Sequence, residues 1–289
     1  MTGLADLHIH SSVSDGTEKP EKLVEMAIEI GLGGLALTDH DTTDGLSRFM
    51  SAPGPPTQIR VPGLEISTDF NSKEAHILAY YVPKEDTTLS AKLSWLREER
   101  EKRFPKMIKK MMEIGISVSA EELEILLKGV ISPGRPHIGK ILIDRGIVRD
   151  MNEAFDMYLA EGKPLYVGKE RLSVNEAIST LRSVGAVPIL AHPLDIGVPK
   201  VKEALKDLKE EGLMGVETVY DYSHLEISER PEAVREAAKE LGLIATGGTD
   251  YHGDGWRIAL GSIGVSVGVI DELRKAAEEL GGDIYSWET

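Results

Sequence analysis

The sequence lacks cysteine, an excess of basic residues and any long hydrophobic run, and each absence excludes a class of protein. None of the 289 residues is cysteine, so disulfides and thiolate metal sites are impossible, and any metal must be held by nitrogen and oxygen. Asp and Glu outnumber Lys and Arg by 48 to 33, giving a net charge of −15. This charge argues against broad electrostatic capture of nucleic acid, although one local basic pocket is still compatible with it.

No apolar run approaches the roughly 20 residues that a membrane span needs. The N-terminus, MTGLADLHIH, has no basic region followed by an apolar segment, so we expect no secretion signal, no membrane partner and a cytoplasmic location. Internal repeats and low-complexity segments are absent. A chain of 289 residues can form one large domain, or one domain with a sizeable insert.

Short apolar runs alternate with helical patterns in two separate parts of the chain. The first part predicts a helix at 20–30, with Pro20 at a favoured first position, and strands at 3–9, 33–38, 59–67 and 75–82. The second part predicts helices at 174–184, 200–211, 231–241 and 271–280, and strands at 187–191, 215–219, 243–246 and 263–267. Repeated β/α units favour a parallel sheet closed into a barrel, with the chemistry at the carboxyl ends of its strands.

The stretch between these two parts is almost wholly helical. It predicts helices at 89–114, 119–127, 136–145 and 152–160, and Ser119 with Glu122 forms a capping-box pattern. Helices without intervening strands indicate a subdomain inserted into a β/α domain. We therefore predict barrel segments at 1–86 and 169–289, with an inserted helical subdomain at 87–168 that caps the substrate site.

Residues that can bind metal ions recur near the ends of the predicted strands. Each histidine alone could be a satisfied core or loop residue, but buried imidazoles and carboxylates are costly unless they are paired or metal-bound. So many at equivalent strand ends need a shared cause, and metal binding supplies one, since imidazole and carboxylate suit Mn, Fe and Zn. These residues are His8, His10, His40, Glu65, His76, His192, Asp250 and His252.

The segments around these residues resemble the PHP family (polymerase and histidinol phosphatase). Five motifs match in order over roughly residues 3–83 and 170–268: DLHIH at 6–10, TDHD at 38–41, the Glu of GLEIS at 65, AHP at 191–193 and GTDYH at 248–252. The resemblance implies an α/β fold, a distorted (β/α)7 TIM-like barrel carrying an inserted all-helical subdomain. It also implies a trinuclear centre of divalent cations, most simply Mn²⁺, with Fe²⁺ or Zn²⁺ as alternatives.

By position, the resemblance assigns nine ligands to three cations. The first cation takes His8, His10, Glu65 and Asp250; the second takes Glu65, His76 and His192; the third takes Asp15, His40 and His252. Glu65 thus bridges two cations, which a carboxylate with two oxygens can do. The family sometimes has His at position 15, and Asp15 lies in a polar VSDGT loop, where a role in the turn is the alternative.

Other carboxylates lie next to these ligands in sequence. Asp6, Asp39 and Asp41 could orient the ligand imidazoles through hydrogen bonds. They could equally cap turns, and for Asp41 and Asp44 we favour that alternative.

The segment SPGRPHIGKIL at 132–142 is the second unusual feature, because Arg135 and His137 flank Pro136 at the predicted start of a helix. A helix N-terminus with an arginine favours an anion site. Alternatively, Arg135 pairs with a carboxylate of the insert and His137 caps the helix. The segment resembles an insert-bearing subgroup of 3′,5′-nucleotide bisphosphate phosphatases and 5′→3′ exoribonucleases. That resemblance implies that Arg135 and His137 hold the uncleaved phosphate, or the scissile phosphate from the side opposite the metals.

Three further residues that return the chain to the barrel are candidates for substrate contact. Lys163, Tyr166 and Lys169 could line the same cleft or be ordinary surface residues. His224 follows the predicted strand at 215–219, where it could contact substrate, donate a proton or simply be exposed.

The sequence thus predicts a metal-dependent phosphoesterase acting on a small nucleotide: a 3′,5′-bisphosphonucleotide, a nucleoside monophosphate or a short 5′-phosphorylated RNA. A hydroxide bridging two cations at Glu65 is expected to attack phosphorus directly. Candidate substrate or proton-transfer groups are Arg135, His137 and His224. Extended duplex nucleic acid is not an expected partner. The alternatives are a histidinol-phosphate phosphatase and a non-catalytic PHP module that tethers a partner.

Overall fold

The computed structural model describes most of the chain. It covers residues 3–128, 130, 133–168, 170–197, 200–223, 227, 229–255 and 258–287. Within these ranges no helix combines the length and the apolar character needed to cross a membrane.

The described residues form one sheet that is the frame of the molecule. Its strands are β1 (Leu4–Ile9), β2 (Gly34–Leu37), β3 (Ile59–Phe70), β4 (Lys73–Tyr80), β5 (Leu172–Ser173), β6 (Val187–Leu190), β7 (Gly215–Val219), β8 (Ile244–Gly247) and β9 (Val265–Ser266). The order across the sheet is β8-β7-β6-β4-β3-β2-β1-β9, and β5 pairs with β3 away from this path.

Helices connect and cover these strands. They are α1 (Pro20–Glu29), α2 (Leu46–Ser51), α3 (Thr87–Glu113), α4 (Ala120–Leu126), α5 (Arg135–Asp144), α6 (Met151–Ala154), α7 (Val174–Ser183), α8 (Val201–Glu210), α9 (Pro231–Leu241) and α10 (Gly268–Glu279), with a π-helical turn at Phe155–Leu159. Pro20 occupies the first turn of α1, and Ser119 and Glu122 form the predicted capping box of α4, so both predictions are confirmed.

The prediction of a parallel sheet is wrong for β4 and for the edge strand β9, which is antiparallel to β1. Strands β1, β2 and β3 run parallel, as do β6, β7 and β8, but β4 is antiparallel to both β3 and β6. For β4 the cause is the two-residue turn at Asn71 and Ser72, whose φ angles of 53° and 66° are typical of a tight β-hairpin. Such a turn can join only antiparallel strands.

The two ends of the strand path meet beside β1. The chain just after β8 forms a parallel bridge between Tyr251 and Ile9, and the backbone N–H of His10 donates to the carbonyl of Tyr251 at 2.9 Å. The sheet is therefore a nearly closed, distorted barrel, and the predicted fold class is confirmed.

Helix α3 links two separate hydrophobic clusters. Its first half contributes Leu89, Leu93 and Leu96 to the main cluster of the barrel. Its second half packs in a cluster formed only by side chains between Phe104 and Leu165. A helical segment with its own core supports an insert, although the predicted domain boundaries stay a prediction.

Candidate metal centre

The nine predicted ligands lie at one edge of the barrel. His8 lies within β1, and His10 follows this strand; His40 follows β2 and forms an isolated bridge with Glu65 of β3. His192 follows β6, and Asp250 and His252 follow β8. His76 lies in the first half of β4, and because β4 runs antiparallel, that half reaches the same edge as the carboxyl ends of its parallel neighbours.

Two of these ligands have unusual backbone conformations. His192 has a φ of 22° and Asp250 a φ of 52°, in a region that L-residues other than glycine adopt at a cost on the order of 1 kcal/mol. Both residues lie in the segments that follow strands, His192 after β6 and Asp250 after β8, and their side chains face the other candidate ligands. The neighbouring packing therefore holds local strain at the site.

Four side chains converge at the first predicted cation position. Nε2 of His8 lies 3.3 Å from Oδ1 of Asp250 and 3.5 Å from Oε1 of Glu65. Nε2 of His10 lies 3.2 Å from the same Asp250 oxygen and 3.3 Å from Oε2 of Glu65. All four groups thus direct ligand atoms to one point.

The second and third positions show the same convergence. Nδ1 of His76 and Nε2 of His192 lie 3.0 and 3.3 Å from Oε1 of Glu65, and 3.3 Å from each other. Asp15 faces the other two ligands, with Nε2 of His252 at 3.3 Å and Nε2 of His40 at 3.7 Å. Glu65 therefore presents one oxygen to His8, His76 and His192, and the other to His10 and His40.

These distances fit divalent cations. Two ligand atoms that each lie about 2.1 Å from one cation are about 3.0–3.4 Å apart, close to most of the spacings above. Among the described residues, several of the buried donor and acceptor atoms lack a hydrogen-bond partner, including Nε2 of His8 and His10, Oδ1 of Asp15 and Oε2 of Glu65. Unpaired buried polar atoms are costly, and coordination to a cation would satisfy them.

The electrostatics of the cluster favour the ligand form of its central carboxylate. Burial alone would raise the pKa of Glu65, but the field of His40, His76 and His8 outweighs it and holds the pKa well below its usual range. Burial lowers the pKa of His40 to about 4, whereas at His10 burial is outweighed by the hydrogen bonds and charges of Asp250 and Glu65, which raise the pKa to about 10, so a cation that binds there must displace a proton. An anionic carboxylate and a neutral imidazole are the forms that bind metals.

Two residues that the sequence did not predict contact the predicted ligands and hold them in place. Oε1 of Glu217 lies 3.1 Å from Nδ1 of His8, and its Oε2 accepts the backbone N–H of His192 at 2.8 Å. The hydroxyl of Tyr220 donates to Oδ2 of Asp250 at 3.0 Å. The sequence did contain one indication of Glu217, because it lies within the apolar run GVETV of β7, where a solvated side chain is not expected.

The adjacent aspartates bind backbone, hydroxyl and guanidinium groups. Asp6 accepts from Thr249 and Gly261, and its burial raises its pKa to about 6. Asp39 accepts from the hydroxyls of Ser11 and Ser14 at 2.7 and 2.6 Å. Asp41 pairs with Arg100 at 2.7 Å and also accepts from the backbone of Ser67. Asp44 pairs with Arg97. Asp6 and Asp39 thus fix the loops that carry ligands.

A cavity of about 580 Å³ opens over the ligands and includes Arg135 in its wall. Nη2 of Arg135 lies 2.6 Å from Oε2 of Glu74, and the guanidinium packs over the ring of Phe155 at 5.3 Å. The structure therefore brings Arg135 to the ligands, but its carboxylate partner comes from β4 and not from the insert.

The other predicted substrate residues are placed differently. Nδ1 of the buried His137 accepts the backbone N–H of Gly134 at 3.1 Å, which is the capping role, and burial lowers the pKa of this imidazole. Tyr166 lines the 580 Å³ cavity. Lys163 is exposed and is not one of the residues that line it. Lys169 and His224 lie outside the described residues.

Comparisons with known proteins agree with this geometry. The model of the family described as PHP domain matches residues 6–159. The chain is 32% identical over 254 residues to a 5′-3′ exoribonuclease of Haemophilus influenzae, covering 87% of this chain and 91% of that protein. It is 30% identical over 252 residues to a 3′,5′-nucleoside bisphosphate phosphatase of Chromobacterium violaceum, covering 86% and 87%.

A solved structure extends the agreement to the whole fold. It is assigned to a metal-dependent phosphoesterase of Bifidobacterium adolescentis, and it superposes with a TM-score of 0.85 at 27% identity. The superposition covers 94% of this chain and 96% of that one.

Proposed function

This chain belongs to the PHP domain family and is a metal-dependent phosphoesterase, and we propose that its substrate is a small phosphorylated nucleotide. The candidates are a 3′,5′-bisphosphonucleotide, a nucleoside monophosphate and a short 5′-phosphorylated RNA. The observation that carries the proposal is the convergence of nine candidate ligands, seven of which line a cavity that also has arginines in its wall. Relatives named for nucleoside bisphosphates and for RNA support the nucleotide class.

The proposed centre holds three divalent cations, with Mn²⁺ as the first candidate. The first would be held by His8, His10, Glu65 and Asp250, the second by Glu65, His76 and His192, and the third by Asp15, His40 and His252. Within each set the donor atoms lie close together, as ligands of one cation must. Glu65 presents one oxygen to His8, His76 and His192 and the other to His10 and His40, which supports a role as a bridging ligand.

Bound divalent cations supply Lewis acidity, which acidifies water and neutralises the charge of a phosphoryl group. The protein itself must orient the ligands and place the substrate. Glu217 holds the His8 ring and the backbone of His192, and Tyr220 holds Asp250. Arg135 has five N–H donors, so pairing with Glu74 leaves others to bind a phosphate oxygen in the cavity.

A substrate screen of the metal-loaded protein tests the proposal. We expect turnover with Mn²⁺, loss of turnover after chelation, and the highest kcat/KM with one of the three nucleotide classes. Histidinol phosphate and an aryl phosphate serve as comparison substrates. Preference for histidinol phosphate would contradict the nucleotide class, and bound metal without turnover of any ester would contradict the activity.

A further inference from the structure

Arg100 occupies a buried position of helix α3, at the point where the packing of this helix changes from the barrel to the helical segment. The buried residues of α3 are spaced three and four apart, as on one face of a helix. Leu96 belongs to the main cluster of the barrel, and Phe104 belongs to the cluster of the helical segment. Arg100 lies between them and is only 5% exposed. A buried charge of this kind needs partners.

Both partners of Arg100 lie next to candidate metal ligands. Its Nε pairs with Oδ2 of Asp41 at 2.7 Å, and its Nη2 donates to the hydroxyl of Ser67 at 3.0 Å. Asp41 directly follows His40 in the chain, and Ser67 lies two residues after Glu65. One guanidinium therefore connects helix α3 to the two chain segments that carry these ligands.

Asp41 extends this contact to the backbone around both ligands. Its N–H donates to the carbonyl of Glu65 at 2.8 Å, and its Oδ1 accepts the backbone N–H of Ser67 at 2.9 Å. Asp41 also has a φ of 53°, a conformation that persists only where the surrounding structure holds it. Because its carboxylate is fully buried, loss of the charge of Arg100 would be strongly unfavourable for this arrangement.

His40 is the candidate ligand that depends most directly on Asp41. Its Nδ1 lies 2.9 Å from Oε2 of Glu65, and its Nε2 lies 3.7 Å from Oδ2 of Asp15. The His40 ring thus lies between two carboxylates. A shift of the neighbouring Asp41 would move the ring relative to both of them.

The segment that precedes α5 restricts the guanidinium from another side. A Cβ atom at Gly134 would lie 3.2 Å from Nη1 of Arg100 and 4.0 Å from Oδ2 of Asp15. Arg100 is thus surrounded by β3, by the segment after β2 and by the turn before α5. Side chains position metal ligands well only when their own conformation is fixed by packing and hydrogen bonds, and Arg100 meets this condition.

We propose that Arg100 is a positioning residue of the metal centre, which orients His40 toward the third cation by holding Asp41 and Ser67. This inference rests on the proposed function, and it makes α3 a part of the metal centre as well as of the cavity wall. Arg100 also lines the cavity of about 580 Å³. A direct contact between its guanidinium and the substrate is therefore the alternative that an experiment must separate.

Arg100→Met tests the proposal through the Mn²⁺ dependence of the protein. The substitution keeps a long side chain and removes the bonds to Asp41 and Ser67. The Mn²⁺ concentration for half-maximal turnover should rise by about 10- to 100-fold. After dialysis against limiting free Mn²⁺, elemental analysis should show a loss of about one equivalent. At saturating Mn²⁺, kcat and KM should return to within about threefold of the wild-type values, because the ligands themselves remain.

Asp41→Asn places the same test on the partner of Arg100. Asparagine keeps an oxygen for the backbone N–H of Ser67 but lacks the charge that pairs with the guanidinium. If Arg100 acts through Asp41, Arg100→Met should weaken Mn²⁺ binding by less than about twofold further in the Asp41→Asn background. The double variant removes both buried charges together, which proteins tolerate better than the removal of one, so it carries the test if Arg100→Met does not fold. Independent, multiplying losses of affinity would overturn the proposal.

Arg97→Met is the matched control, because Arg97 lies one turn earlier on α3 and pairs with the exposed Asp44 at 3.0 Å. It should leave the Mn²⁺ dependence unchanged. For Arg100→Met, a raised KM with an unchanged Mn²⁺ dependence would show direct substrate binding and overturn the proposal. A lower Tm of the metal-free protein with an unchanged Mn²⁺ dependence would show a structural role and overturn it as well. If no ester is hydrolysed but retention of Mn²⁺ depends on Arg100, the activity fails while the positioning role stands.

Discussion

At the scale of single residues, the carboxylate of Glu217 contacts two proposed ligands at once. One oxygen faces the ring of His8 and the other accepts from the backbone of His192. Glutamine at this position has a single carbonyl oxygen, so it can satisfy only one of these contacts and lacks the charge. Substitution of groups that orient metal ligands in this way typically lowers metal affinity or activity by about 10- to 100-fold.

Glu217→Gln is therefore expected to weaken Mn²⁺ binding by about 10- to 100-fold. Turnover at saturating Mn²⁺ should fall much less, because the ligands themselves remain. Titration of activity with Mn²⁺ measures both effects, and Glu232→Gln on the exposed side of α9 is the matched control. An unchanged Mn²⁺ dependence would show that Glu217 does not position the ligands.

Gly248 lies where the chain after β8 passes closest to β1. A Cβ atom at this position would lie 2.4 Å from the backbone nitrogen of His8 and 2.8 Å from a carboxylate oxygen of Asp6. Backbone atoms cannot move aside as a flexible side chain can. Strand β1 and the segment after β8, which both carry proposed ligands, would therefore have to move apart.

We expect Gly248→Ala to lower the free energy of unfolding by about 1–3 kcal/mol and to weaken metal binding as well. Urea denaturation of the protein freed of metal by a chelator measures the free energy of unfolding, and a separate Mn²⁺ titration measures the metal affinity. Gly168→Ala is the control, because a Cβ there meets no atom within 4 Å. Equal stability of the two variants would contradict the close approach.

Residue types and the resemblance to a family predicted the candidate ligands but not the residues that contact and orient them. His8, His40 and Asp250 stand out in sequence because histidine and aspartate at the ends of apolar strands have no ordinary structural reason to be there. Glu217 stands out less, because a glutamate within the apolar run GVETV indicates a buried carboxylate, but its contacts depend on which distant segments pack against it.

At the scale of elements, the alternation of apolar runs predicted the long strands and helices but not the direction of β4. Periodicity gives the type of an element and says little about its partner, which here depends on the turn at Asn71 and Ser72. The helix α2 and the strand β5 were missed because six and two residues are too short to show a period. The helix predicted at 152–160 is divided between α6 and a π-helical turn.

The hairpin between β3 and β4 gives a prediction at this scale. Ser72 has a φ of 66°, which costs a non-glycine residue on the order of 1 kcal/mol. Its backbone N–H donates to Asp69, and this bond does not need the serine side chain. Ser72→Gly should therefore raise the free energy of unfolding by about 0.5 kcal/mol, and Ser72→Val should lower it. Urea denaturation measures both, and a change of the same sign in the two variants would contradict the argument.

At the scale of the whole molecule, an acidic chain concentrates arginines at one wall of a cavity. The net charge of −15 excludes general attraction of polyanions, whereas the arginines beside Glu74 concentrate positive charge at one wall of the metal site. The fold brings these groups together from the barrel and from the helical segment. Composition predicted that there would be no broad basic surface, but only the fold places arginines of α3 and α5 in the cavity with the candidate ligands, where Arg135 pairs with Glu74 of β4.

The proposed partition of the metal centre makes a prediction about stoichiometry. Glu65 is assigned to two cations and Asp15 to one, so the two carboxylates should differ in the number of ions that depend on them. After dialysis against limiting free Mn²⁺, Glu65→Gln should lose about two equivalents and Asp15→Asn about one, as measured by elemental analysis. Asp44→Asn, which removes a surface carboxylate paired with Arg97, should keep the full complement. Equal losses of Mn²⁺ in the Glu65 and Asp15 variants would contradict the bridging role of Glu65. A carboxylate that binds two cations should cost more bound Mn²⁺ when it is replaced than a carboxylate that binds one.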